Sequence, residues 1–183
     1  MQITLITLAS LILVGLIFIF NRFVRYRNNV NDAWSNIDVY LKKRHELIPN
    51  LVNTVKGYAL HEQATFIGVT EARSAAMNVP ENDTQKRELA EKKLSGQLNK
   101  VLILQENYPD LKANNSFLKL QNELGEIEGD LEKARRYYNA TVRENNTFGE
   151  SFPANLFTKI FGYKQFDFFS IQPSEKETNQ INF

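Results

Sequence analysis

Residues 3 to 20 read ITLITLASLILVGLIFIF, eighteen positions without a charge and with only Thr4, Thr7, Ser10 and Gly15 as small or weakly polar members. At about 1.5 Å per residue such a helix covers roughly 27 Å, close to the hydrocarbon thickness of a bilayer, and Phe23 and Val24 can extend it. The pattern therefore predicts a transmembrane helix. A cleaved signal peptide would want a basic start, a shorter apolar core and a small-x-small site after it. Here no Lys or Arg precedes the run, and NRFVRYRNN follows it.

Beyond that run the apolar positions change to a seam. Val30, Trp34, Ile37, Leu41, Arg44, Ile48, Leu51, Val55 and Tyr58 alternate in steps of four and three, the signature of one packed helix face. The phase before Pro49 matches the phase after it, so the proline is expected inside a continuing helix, bending it and leaving the His45 carbonyl without its partner. A second helix, about 61 to 78, offers Phe66, Val69, Arg73 and Ala76, and ends at VPENDT, where Pro80, Asn82 and Asp83 are loop residues. A third, about 85 to 107 and capped by Thr84, offers Leu94, Leu98, Val101, Gln105 and Tyr108. The last begins at Asn115 or Ser116 and runs Phe117, Leu120, Leu124, Ile127, Leu131, Ala134, Tyr138, Thr141, Asn145 and Phe148.

The fold expected is all-α: a transmembrane helix at residues 1–25, an antiparallel four-helix bundle at 26–150, and an aromatic-rich segment with a tail at 151–183. The alternative is an elongated three-helix coiled coil. GYALHE, from Gly57, has no Ser, Thr, Asp or Asn to cap a new helix, so the first two helices could fuse through a stutter. In the C-terminal segment Pro153 suits a first helical turn and Gly162 the position after a helix end, giving a short helix over about 153–161. The final PSEKETNQINF reads as a disordered end.

Charge changes this picture in one respect only. The net value of +1 argues against a general nucleic-acid binder, while Arg22, Arg25 and Arg27 directly after the apolar run predict its C-terminal side in the cytoplasm and its N-terminus outside. The bilayer is thus the first expected partner. Lys42 and Lys43 lie off the seam and read as a solvated basic face. Absence of cysteine excludes disulfides, thiolate metal sites and a cysteine nucleophile.

No catalytic motif is legible. HEQAT, from His61, starts like a zinc-protease helix, but Thr65 stands where the second histidine ligand belongs. With His45 the sole other histidine, a multi-histidine zinc site is impossible, and neither a glycine-rich phosphate loop nor a nucleophile elbow occurs. The acidic run NELGEIEGDLE gives its inward stripe to Leu124, Ile127 and Leu131, which makes Glu123, Glu126, Glu128 and Asp130 a solvated or flanking set. No cofactor is expected, and no enzyme.

Two features resist a plain core reading. Arg44 and Arg73 occupy positions where the seams call for apolar residues. Each either snorkels to water or meets a carboxylate in a polar layer that fixes helix register, with Glu62, Glu71, Glu128 and Glu132 as candidate partners. Around SFPANLFTKIFGYKQFDFF, the rings of Phe157, Phe161, Tyr163 and Phe166 either cover one end of the bundle or form a docking surface for a partner or lipid.

AWSNIDVYLKKRHELIPNLVNTVKGYALHE from Ala33, LQNELGEIEGDLEKARRYYNATVRENN from Leu120 and FPANLFTKIFGY from Phe152 together resemble the bacterial LemA family, in the family's order and spacing. The resemblance covers nearly everything beyond the apolar run and is thinnest over 78–115. It implies a helical bundle held at the membrane by its N-terminus, with magnetosome-associated relatives pointing to work at membrane surfaces. It supplies no catalytic residues, since no activity is established for the family. The functions that follow are a membrane-anchored scaffold that self-associates and organises envelope proteins, or an accessory factor for a membrane protease or cell-wall enzyme.

Overall fold

The computed structural model describes residues 1–80 and 83–169. Of these, 82% are helical and none is in a strand. The helices are α1 (Gln2–Lys56), α2 (Gln63–Met77), α3 (Thr84–Ile103), the single turn α4 (Pro109–Lys112) and α5 (Asn115–Glu150), with 3-10 turns at Leu104–Glu106 and Ala154–Phe157. Asn82 and the tail PSEKETNQINF lie outside the described residues.

α1 carries the apolar run and the seam without interruption, and Pro49 sits within it. Its end is local in origin: the amides of Tyr58 and Ala59 both donate to the Val55 carbonyl at 3.0 Å, closing the last turn just after Gly57. α1 and α2 are therefore separate helices, and the fused form is not adopted. Because the helix stops there, Tyr58 leaves the seam and is exposed, while Ala59 fills the buried place. Glu62 begins α2 without any side-chain cap, which is why the sequence gives no start signal.

Two other helix starts sit one residue before their expected caps. Asp83, not Thr84, caps α3, its carboxylate accepting from the Lys86 amide at 3.0 Å. Asn114, not Asn115 or Ser116, caps α5, accepting from the Phe117 amide at 2.9 Å. α3 also gives way to 3-10 geometry at Leu104 instead of continuing to 107. The segment after Pro153 is a 3-10 turn followed by irregular turns, shorter than the helix expected, and Gly162 takes φ +62, the left-handed conformation that glycine adopts without strain.

The chain forms two compact units. One comprises Met1–Ile37 and Ala134–Phe168; the other comprises Asp38–Lys133 and, of the described residues beyond it, Phe169. In the second unit, Ile48, Leu51 and Val55 of α1, Phe66 and Val69 of α2, Leu94 and Leu98 of α3, Leu111 of α4 and Phe117 and Leu124 of α5 form one hydrophobic core. Arg73 stands beside this stripe, half-buried; Ala72 takes the core position. In the first unit the interior is aromatic and amide. Trp34 meets Tyr138 edge-on at 5.4 Å, and Phe23 meets Phe148 at 4.9 Å.

Candidate functional site

The Asp38–Lys133 unit encloses a set of charged side chains. Arg44 and Glu91 are each 1% exposed, and His45 beside them is buried. Arg44 Nη1 donates to Glu91 Oε2 at 3.1 Å, and Nη2 donates to Ser95 Oγ at 2.6 Å. Ser95 in turn donates to the Glu91 carbonyl, so one turn of α3 receives the whole guanidinium fork. The other Glu91 oxygen lies 2.9 Å from His45 Nε2; a carboxylate only accepts, so the imidazole supplies that proton. Arg44 Nε is 2.8 Å from Glu128 Oε1 but does not aim its hydrogen at that oxygen, which makes the contact an ion pair without a hydrogen bond.

Arg44 and Glu128, both singled out in the sequence, thus meet; Glu128 remains 40% exposed and closes the set from the solvent side. Arg73 goes elsewhere. Its Nε donates to the His45 backbone carbonyl at 2.7 Å. That carbonyl faces Pro49, which has no N–H to give, and the guanidinium supplies the missing donor. Glu91 was not among the residues singled out, although it lies one three-residue step before Leu94 on the α3 seam and so has the inward phase. Arg44, Glu91 and His45 are buried while Glu128 reaches solvent, and the charges of Arg44 and Glu91 offset each other.

The Met1–Ile37 and Ala134–Phe168 unit holds the aromatic segment. Phe161 packs on Phe20 and Phe23 with ring centres 5.3 and 6.0 Å away, and stacks on Phe157 at 5.8 Å. Tyr163 leans on Phe23 at 5.4 Å. Burial raises the Tyr163 hydroxyl above the ordinary tyrosine range, and the Glu150 charge adds to the rise. Phe166 is placed by its backbone: its amide donates to Asn146 Oδ1 at 3.1 Å, and its carbonyl accepts from Asn146 Nδ2 at 2.9 Å. Asn145 Nδ2 donates to the Lys164 carbonyl, and the Tyr138 hydroxyl to that of Asp167. Two adjacent asparagines on α5 therefore hold the 164–167 backbone as a neighbouring strand would, a role sequence reasoning missed. Gly149 leaves room for this, because a Cβ there would stand only 2.7 Å from the Tyr163 hydroxyl.

The remaining features are surface ones. Arg22, Arg25 and Arg27 are exposed, Arg22 donating to the Tyr26 hydroxyl at 2.9 Å. An eighteen-residue apolar window of α1 has none of its residues buried, so this stretch is a candidate membrane span and not a soluble core helix. A surface groove of about 520 Å³ lies between Lys56, Leu60, Phe66 and Ile67 in the other unit. Among the described residues no group of three or more His, Asp or Glu side chains is arranged to hold a metal ion.

The family model of LemA matches residues 33–183, which include the ionic centre and the aromatic segment alike. The chain belongs to the LemA family. Protein LemA of Metamycoplasma hominis is 28% identical over 140 residues, covering 75% of this chain and 59% of that protein. The magnetosome proteins MamQ 2 and MamQ 1 of Paramagnetospirillum magneticum are each 21% identical over 179 residues, covering 85% of this chain and 66% of theirs. The chain thus spans between 59% and 66% of the length of these curated relatives. None of the three carries the name of an enzyme. In this LemA family member the match begins within α1, after the apolar run.

Proposed function

We propose that this chain is a single-pass membrane protein, its helical body on the cytoplasmic side, serving as a non-enzymatic scaffold that self-associates and organises envelope proteins. The observation that carries the reading is α1 itself. One uninterrupted helix begins with a bare apolar stretch of bilayer length and goes on to supply Arg44, Ile48, Leu51 and Val55 to a packed interior. The three exposed arginines after the stretch support a cytoplasmic body. Likeness to two magnetosome proteins supports a place in a larger assembly. Arg44 and Glu91 are both 1% exposed and pair with each other, which favours a structural part over a catalytic one.

Sedimentation of the full detergent-solubilised chain, together with proximity labelling in cells, tests this. A defined oligomer and reproducible envelope neighbours are expected; a strict monomer with no reproducible neighbour removes the proposal. The accessory-factor reading draws on the groove, where Leu60 is 71% and Ile67 57% exposed, as a face for a membrane protease or cell-wall enzyme. Unchanged envelope proteolysis and wall turnover on deletion would count against it.

A further inference from the structure

We propose that the turn 151–162 is a second, shallow membrane contact: Phe152, Leu156 and Ile160 insert into the same leaflet interface that receives the end of the α1 span. The proposal rests on the reading of α1 as a membrane helix. Its first support is position. Phe161 sits 5.3 Å from Phe20, the last residue of the uncharged run, and 6.0 Å from Phe23, one turn further on. Whatever level of the bilayer Phe20 reaches, the Phe161 end of the turn reaches it too.

The second support is an inner and an outer face of opposite exposure. Ala154 is buried and Phe161 half-buried against α1, whereas Phe152, Leu156 and Ile160 are 80%, 62% and 74% exposed. These are not side chains of a loose strand. The turn is internally bonded, Asn155 N to the Ser151 carbonyl, Phe161 N to the Phe157 carbonyl and Tyr163 N to the Thr158 carbonyl, all at 2.9 Å. An ordered segment that presents large aliphatic and aromatic groups outward needs an apolar neighbour. The same bareness marks Leu13, Val14 and Ile17 of the span itself, for which lipid is the covering medium.

The third support is charge. Lys159, between Leu156 and Ile160, and Lys164 are exposed, as are Arg22 and Arg25. Basic residues bordering an apolar face are the composition of interfacial segments, whose apolar side sinks about 5–10 Å into the headgroup boundary while Lys and Arg reach anionic headgroups. A bilayer therefore fits this face better than a protein partner, and the contact would fix the height of the body above the membrane.

The chain contains no cysteine, so single-cysteine probes are direct. The full chain, reconstituted in phosphatidylcholine and phosphatidylglycerol vesicles, is labelled with an environment-sensitive fluorophore at Leu156→Cys or, separately, Ile160→Cys, with Val14→Cys in the span and exposed Lys92→Cys in the other unit as references. Quenching is read with lipids brominated at shallow or deep acyl positions. The expected result is quenching of both turn probes by the shallow bromines at least about twofold above the Lys92 reference, with Val14 quenched by the deep ones. Water-like turn probes beside a deeply quenched Val14 overturn the proposal and leave the anchor standing. A blue shift without bromine quenching overturns it in favour of a protein neighbour, and an unquenched Val14 removes the membrane reading and the proposal together.

Discussion

The unit of residues 38–133 and the unit of 1–37 with 134–168 draw on the same two long helices, yet differ in the polar groups their interiors carry. In the first, Arg44 and Glu91 are buried with their charges opposed, and the His45 imidazole lies against the same carboxylate. In the second, phenylalanine rings and the two amides of Asn145 and Asn146 fill the equivalent need. Burying an ion pair returns little net stability, because desolvation offsets the attraction, but it penalises every arrangement in which the charges fail to meet. Aromatic packing stabilises through large buried area and through edge-to-face contacts. The difference suggests that the 38–133 unit is specified by register, since Arg44 can meet Glu91 in only one alignment of α1 against α3, whereas the other unit is held by area and by a backbone clasp.

The largest expected effect breaks the 38–133 unit. Glu91→Ala leaves Arg44 and His45 facing each other without their shared carboxylate, and should cost about 3–5 kcal/mol in denaturant unfolding of the full chain in detergent. The paired replacement Arg44→Leu with Glu91→Leu should lie within about 1–2 kcal/mol of the parent, in either direction. If that double variant also keeps its helix register by crosslinking, the register role assigned to the ionic centre is wrong.

Next comes the clasp in the unit of 1–37 with 134–168. Asn146→Ala removes both bonds to Phe166 and should cost about 1–3 kcal/mol, with early proteolysis of the 164–169 segment as its mark. Gly149→Ala should produce the same proteolysis by a different route, pushing the Tyr163 ring away. Tyr163 adds a pH signature. Its folded-state titration is raised, so its contribution is present below the ordinary tyrosine value and is lost as pH rises through the higher folded one. Ultraviolet titration should show that displacement vanish in Asn146→Ala.

A smaller effect tests the link between Pro49 and Arg73. Arg73→Met strands the His45 carbonyl and should cost about 1–3 kcal/mol. In a Pro49→Ala background the restored amide reaches that carbonyl, so the same change should cost about 1 kcal/mol less. Equal costs in both backgrounds would mean that Arg73 acts by packing alone. The smallest effect is at the α3 cap, where Asp83 bonds the Lys86 side chain and amide and titrates below the ordinary aspartate range. The Asp83–Lys86 pair lies at the surface with Asp83 half-buried, so the Asp83 contribution should be present above that range, fade as pH falls through the lowered value, and weaken with salt.

How much of this could be read from sequence divides along the same lines. The α5 seam was legible over most of its length: Phe117, Leu124, Leu131, Ala134, Tyr138, Thr141 and Asn145 are buried, because a stepwise period survives over a long helix, while Leu120, Ile127 and Phe148 are half-buried and Val142, off the seam, is buried. Arg44 stood out for the same reason, and its meeting with Glu128 joins two residues already singled out. Glu91 did not stand out, because the apolar α3 seam starts at Leu94 and a glutamate one step before it gives no apolar signal. The break at Gly57 had no capping residue to announce it. Pro49 revealed a carbonyl in need of a donor, but a donor in another helix, at Arg73, leaves no local trace. The asparagine clasp was invisible, since a side chain imitating a strand requires partners twenty residues away that no periodicity connects.

The most direct test of the scaffold account is crosslinking with mass spectrometry on intact membranes, which reports sidedness, self-association and neighbours together. The account predicts crosslinks from Lys42, Lys43 and Lys92 to cytoplasmic faces, links between copies of the chain, and a reproducible set of envelope proteins. Links from those lysines only to proteins on the outer side, or none beyond a single chain, would contradict it.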